Sequence, residues 1–280
     1  MKRDTIIDMF CLTSILASLL FLYLNPGPRE HFEVIAPLLG GKVVHLFDWR
    51  GDGDAIVTEA GDIAFSAIHR QLENEGIAHY VYCDNPESHV SGGYSMALKH
   101  ILQENPTAVF YANANLAQEG KSYGIGFYSV EKAKMLKKKR EGRHKEGITA
   151  VFLGANNKHF YERGFDRMVA LSQGLPESWS LYYLRHPRAN DEDLKKLPAQ
   201  LSLSPYSFDD MMVEADIVFY DQSSVIAQLN LAGIRTIQID EDLKEALCRP
   251  LPLEEEILAS VGYRSDWKER VLSLSFLKNN

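Results

Sequence analysis

Apolar positions along this chain fall into short β-rich runs separated by stretches with helical spacing, and the alternation restarts halfway along. Lys42 to Trp49 (KVVHLFDW), His79 to Cys83 (HYVYC) and Ala108 to Ala112 (AVFYA) read as strands, with amphipathic helices over Asp62 to Glu75 and Ser95 to Gln103 between them. Beyond a charged interval the pattern resumes. Strands are predicted at Ile148 to Leu153, Ser180 to Leu184, Leu201 to Leu203, Ile217 to Tyr220 and Thr236 to Ile239. Helices are predicted over Tyr161 to Gln173, Asp191 to Leu197, Phe208 to Glu214 and Val225 to Ala232. Strand–helix alternation favours parallel sheets covered by helices. The expectation is therefore an α/β protein with two Rossmann-like domains facing each other across a cleft.

The N-terminus follows a different pattern. Met9 to Leu24 (MFCLTSILASLLFLYL) carries no charge and ends at Asn25-Pro26-Gly27-Pro28. It is just under the usual length of a membrane span, and a signal peptide fits less well because no small-x-small cleavage site follows. This predicts a single-pass hydrophobic anchor helix, with a helix packed on the protein itself as the alternative. The expected organisation is anchor and linker over 1–28, an N-terminal Rossmann-like domain over 29–131, a basic linker helix over 132–147, and a C-terminal Rossmann-like domain over 148–280. The linker helix, KAKMLKKKREGRHKEG, reads as a solvated face.

Charge and cysteines narrow the classes. A formal net charge of −8 argues against a nucleic-acid binder. Cys11, Cys83 and Cys248 lack metal-ligand spacing and suit a reducing compartment, so no metal and no cofactor is expected. With the anchor, this places the protein on the cytoplasmic face of a bacterial inner membrane, with the membrane surface as one partner.

One polar stretch stands out, Arg50-Gly51-Asp52-Gly53-Asp54, after the first predicted strand and before what reads as a helix. Gly and Asp also make ordinary surface turns. In open α/β sheets, however, ligands bind outside the carboxyl ends of the strands. Arg50, Gly51 and Gly53 are therefore candidate substrate-binding residues, and Asp52 and Asp54 candidate catalytic ones. Asn115 and Asn156, after later strands, join the substrate-binding set.

The run GKVVHLFDWRGDGDAIVTEAGDIAFSAIHRQLENEGIAHYVYCD resembles the N-terminal segment of the polysaccharide pyruvyl transferase family. Gly53, Asp54 and Ile56 fall on the family's G-D-x-I, and Gly61 on the glycine that follows. The resemblance implies a GT-B-like fold and transfer of an enolpyruvyl group from phosphoenolpyruvate to a sugar of a surface polysaccharide, forming a ketal. The chain departs from the family where it reads Ala112-Asn113-Ala114-Asn115 in place of a glycine-rich turn. It departs again where Asp221-Gln222-Ser223 stands in place of an R-L-H triplet.

The C-terminal half carries a second resemblance. Arg185-His186-Pro187-Arg188 ends one predicted strand, and Asp221-Gln222-Ser223-Ser224 ends another and opens a helix. The pair resembles the H-P and S-S motifs of bacterial GT-B transferases that use CMP-sugars or CDP-alditols. Hydroxyls and helix-terminal amides suit a phosphate, and Arg185, His186 and Arg188 suit the leaving diester. Donor binding is thus expected at Arg185, His186, Arg188, Asp221, Ser223 and Ser224, with His186 also a catalytic candidate. A bare strand exit and a helix cap would use the same residues. Three functions follow: a pyruvyl-transferase-like enzyme, a glycosyl- or polyol-phosphate transferase with a cytidine-nucleotide donor, and a non-catalytic relative that binds a glycan or a partner. The acceptor is expected to be a saccharide or lipid-linked saccharide.

Overall fold

The computed structural model describes residues 18–84, 92–118, 120–127, 130–143, 146–155, 160–186, 189, 191–274 and 277. The chain opens with β1 (Leu19–Tyr23), α1 (Pro26–Leu39), β2 (Lys42–His45), β3 (Ala55–Glu59), α2 (Ala64–Glu75), β4 (Ala78–Cys83), α3 (Gly92–Leu102), β5 (Ala108–Tyr111) and β6 (Ser122–Gly124). These strands form one parallel sheet in the order β2-β1-β3-β4-β5-β6. After α4 (Val130–Glu141) come β7 (Thr149–Leu153), α5 (Phe165–Gln173), β8 (Ser180–Leu184), β9 (Ser202–Leu203), α6 (Phe208–Glu214), β10 (Ile217–Tyr220), α7 (Ile226–Leu231) and β11 (Arg235–Gln238). The second parallel sheet runs β11-β10-β7-β8-β9. The chain then adds α8 (Leu243–Cys248), α9 (Glu254–Ser260) and α10 (Trp267–Ser273). Two Rossmann-like units with parallel sheets are therefore present.

The anchor expectation fails for the part of the segment that the structure describes. Leu19–Tyr23 is a strand, paired in register with β2 on one side and β3 on the other. Leu19 and Phe21 pack with Phe32 and Ile35 of α1, while Leu20 and Leu22 pack on the opposite face with Ile56 and Phe65. A parallel strand buried on both faces reads as an unbroken apolar run, and so does a membrane segment. The Asn25-Pro26-Gly27-Pro28 stop is a strand-to-helix turn, with Pro in the first turn of α1 where its missing N–H costs nothing. Among the described residues no helix is long and apolar enough to cross a membrane. Residues 1–17 lie outside the described part.

Two boundaries also move. The basic interval is no solvated linker, because α4 packs Val130, Ala133 and Leu136 inward. Its Arg140 donates to the carbonyls of Met212 (2.8 Å), Val213 (3.2 Å) and Ala215, and Arg143 donates to Val213 O (2.7 Å) and to the Asp216 carboxylate. These are carbonyls at the C-terminus of α6, which the helix itself leaves unsatisfied. Burial pulls the Arg140 pKa down to about 10. At the other end, Val271, Leu274 and Leu277 join the core of the first unit beside α1, so the expected 148–280 domain gives up its last helix to its neighbour.

Candidate functional site

Both sheets reverse strand order beside their first strand, between β1 and β3 and between β7 and β10. These switch points are where a doubly wound sheet opens a crevice at its carboxyl edge. In the second unit that edge carries the expected residues. Arg185 and His186 follow β8, and Asp221, Ser223 and Ser224 follow β10. Gly154, directly after β7, sits so close to β8 that a Cβ there would lie 3.1 Å from the His186 amide nitrogen. Gly164 likewise approaches Asp221, whose Cγ would be 3.4 Å from an added Cβ. Asp221 is buried, and its backbone carbonyl accepts from Gln238 Nε2 at 3.1 Å. Ser223 and Ser224 line a cavity of about 260 Å³ together with Asn230, Glu256 and Ser260. Asn156 and Arg188 lie outside the described residues, and among the described residues no cluster of His, Cys, Asp and Glu is placed to hold a metal.

The first unit corrects the placement of the opening motif. Ala55–Glu59 is strand β3, not the start of a helix, so Arg50 to Asp54 cross from the carboxyl end of β2 to the amino end of β3. Asp54 accepts from Ser18 N at 2.6 Å and Ser18 Oγ at 3.3 Å, tying the entries of β1 and β3 together. Trp49 Nε1 donates to Asp52 O at 2.7 Å and closes the turn. Gly51 and Gly53 have φ of 80° and 122°, and a side chain at Gly53 would collide with Ile56 and Leu20. Arg50, Gly51, Asp52, Gly53 and Asp54 thus build a crossover at the edge opposite the crevice. Gly, Asp and Arg are the residues a sharp exposed turn requires, and that composition also imitates a ligand loop.

At the true carboxyl edge of the first sheet stands Glu59, which composition and periodicity did not single out. It is fully buried, and its Oε2 accepts from Leu24 N and Asn25 N at 3.0 Å each while Oε1 accepts from Asn25 Nδ2. Burial raises its pKa above the ordinary carboxylate value, against those three donors. The β-branched run Ala-Ile-Val-Thr-Glu ahead of Gly61 was the available signal. Around Glu59, His45 meets Tyr23 edge-on at 5.1 Å and Phe47 at 5.4 Å, and the Phe47 ring is left 82% exposed.

The carboxyl edge of the first sheet meets the end of α9 at a clasp. Asn113, after β5, donates to Ser260 O at 3.3 Å, and Asn115 donates to Ala259 O at 3.0 Å while accepting from Arg264 Nη2 at 3.1 Å. Asn115, expected to bind substrate, holds the units together instead. Gly262, with φ of 61°, lies against Asn113 so tightly that no side chain fits. Since Ser260 also lines the cavity with Ser223 and Ser224, the clasp borders the second unit's crevice.

No family model matches the chain, and no curated protein matches it. Among solved structures, S. aureus MnaA in complex with UDP is 8% identical with a TM-score of 0.64, covering 94% of this chain and 97% of that one. The Neisseria meningitidis UDP-GlcNAc 2-epimerase bound to UDP-GlcNAc is 11% identical with a TM-score of 0.57, covering 91% and 94%. The wall teichoic acid polymerase TagF with CDPG is 8% identical with a TM-score of 0.50, covering 93% and 88%. At such identities the likeness is one of fold, and it extends over nearly the whole of both chains.

Proposed function

We propose that this protein is a carbohydrate-active transferase of GT-B type that takes a nucleotide-activated sugar or polyol as donor. The observation that carries the reading is the carboxyl edge of the second sheet, where Arg185 and His186 follow β8 and Asp221, Ser223 and Ser224 follow β10 on either side of β7, with the two serines lining a cavity that Ser260 links to the first unit. The solved structures of similar fold hold UDP-GlcNAc, UDP and CDPG. The Gly53-Asp54-Ile56 positions that support the pyruvyl-transferase resemblance lie at the opposite edge of the first sheet and contribute nothing to this cleft.

In this reading the donor's phosphates sit against the Ser223 and Ser224 hydroxyls, and Arg185 and His186 neutralise the charge that builds on the leaving nucleotide. Cationic donors aimed at an anion that forms during the reaction stabilise the transition state more than the ground state. His186 also carries a proton to or from the leaving oxygen. The saccharide acceptor enters from the first unit, whose crevice has Glu59 fixed beneath it and Phe47 exposed at its rim.

Calorimetric titration of the full chain with CMP, CDP, UDP and phosphoenolpyruvate tests this. A nucleotide should bind, and Ser224→Ala should weaken that binding about tenfold, as loss of one hydrogen bond to a charged group implies, with the melting temperature unchanged. Binding of phosphoenolpyruvate alone would restore the pyruvyl-transfer reading. Failure of every compound would leave a non-catalytic relative.

A further inference from the structure

Helix α4 has an inner face committed to packing and an outer face without a protein partner. Lys134, Met135, Lys137, Lys138 and Lys139 are all exposed, and Met135 retains 61% of its accessible surface. Lys134 reaches Glu131 at 3.5 Å, but Lys137, Lys138 and Lys139 make no ion pair among the described residues. Such a cluster is conspicuous in a chain of net charge −8. Next to it, Lys139 and Tyr206 line an open groove of about 560 Å³ that also holds Asp210 and Glu214. Tyr206 is 52% exposed, and Leu203, shortly before it on β9, is 48% exposed.

We propose that this face docks on an anionic lipid bilayer, with the lysines in the headgroup layer and Met135 and Tyr206 at the acyl boundary. Lysines attract an anionic surface of any kind, but apolar side chains set among them are the mark of an interfacial contact. A nucleic-acid duplex would match the lysines and leave those apolar groups in water. The groove runs from Thr149 at the amino end of β7 to Tyr206 beyond β9, and neither Ser223 nor Ser224 lines it. The inference does not depend on the donor reading, because it is measured without nucleotide.

Co-sedimentation of the full chain with phosphatidylcholine vesicles, with and without phosphatidylglycerol, at physiological salt tests the proposal. Wild type should prefer the anionic vesicles. Replacing Lys137, Lys138 and Lys139 by glutamine should weaken that binding roughly fivefold per lysine, on the order of a hundredfold in all. Met135→Ser should weaken it several-fold and leave its salt dependence intact. These side chains are exposed, so both variants should melt as wild type does. Equal binding of wild type and the triple variant, no preference for anionic vesicles, or tighter binding to a duplex oligonucleotide than to vesicles would each overturn it.

Discussion

The two sheets are both parallel with a switch point beside their first strand, but they run in different orders, β2-β1-β3-β4-β5-β6 against β11-β10-β7-β8-β9, and they differ in what stands at that point. In the first, the switch-point crevice is floored by the protein itself, since Glu59 spends its carboxylate on the backbone and side chain that follow β1. In the second, the equivalent strand end places Ser223 and Ser224 at the wall of a cavity. A buried carboxylate held by three donors rigidifies a loop, whereas hydroxyls at a cavity wall are available to a ligand. The first unit is therefore the structural partner that shapes the cleft, and the second carries the groups suited to an anion.

The largest effect that could break this comparison is loss of β1. Removing residues 1–28 takes out a strand hydrogen-bonded on both sides, so the first unit should lose its cooperative melt by circular dichroism. Phe21→Ala, a gentler version, should cost about 3–5 kcal/mol in denaturant titration. A truncated chain that stays folded would mean that β1 is dispensable to the sheet.

Acid should separate the units next. His69 is fully buried, with Nε2 2.7 Å from Thr58 Oγ1 and Nδ1 without a partner, and burial lowers its pKa to about 3. A base depressed on folding binds fewer protons in the native state than in the unfolded one. Its stabilisation is therefore present above the ordinary histidine range and declines as pH falls from about 6.5 toward 3, by roughly 1.4 kcal/mol per pH unit. His69→Leu should flatten that slope in urea melts between neutral and acid pH. An unchanged slope would assign the acid sensitivity elsewhere.

The smallest effect sharpens the comparison from the other edge. Asp54→Ala removes two exposed bonds to Ser18 and should cost about 1 kcal/mol, while nucleotide binding in calorimetry stays as in wild type. Weakened binding would return the crossover turn to the functional site.

Much of the architecture was legible in local pattern. Ser180–Leu184, Phe208–Glu214 and Ile217–Tyr220 stand where periodicity puts them, and the residues after β8 and β10 reach the carboxyl edge as their strand-end positions implied. Chain-local chemistry determined those features, because alternation, β-branching and cap residues act over a few neighbouring positions. What only tertiary structure decided was direction and partnership. Leu19–Tyr23 is equally apolar whether lipid or two flanking strands surround it, and pairing with β2 and β3 settled the matter. The Arg50 to Asp54 turn has the composition of a ligand loop at either end of a strand, and only the bond from Ser18 to Asp54 showed which end it occupies. Arg140 and Arg143 look solvated until the carbonyls after α6, some seventy residues away, come within hydrogen-bonding distance. In each case the missing information was a contact between residues far apart in the chain, and no local pattern encodes it.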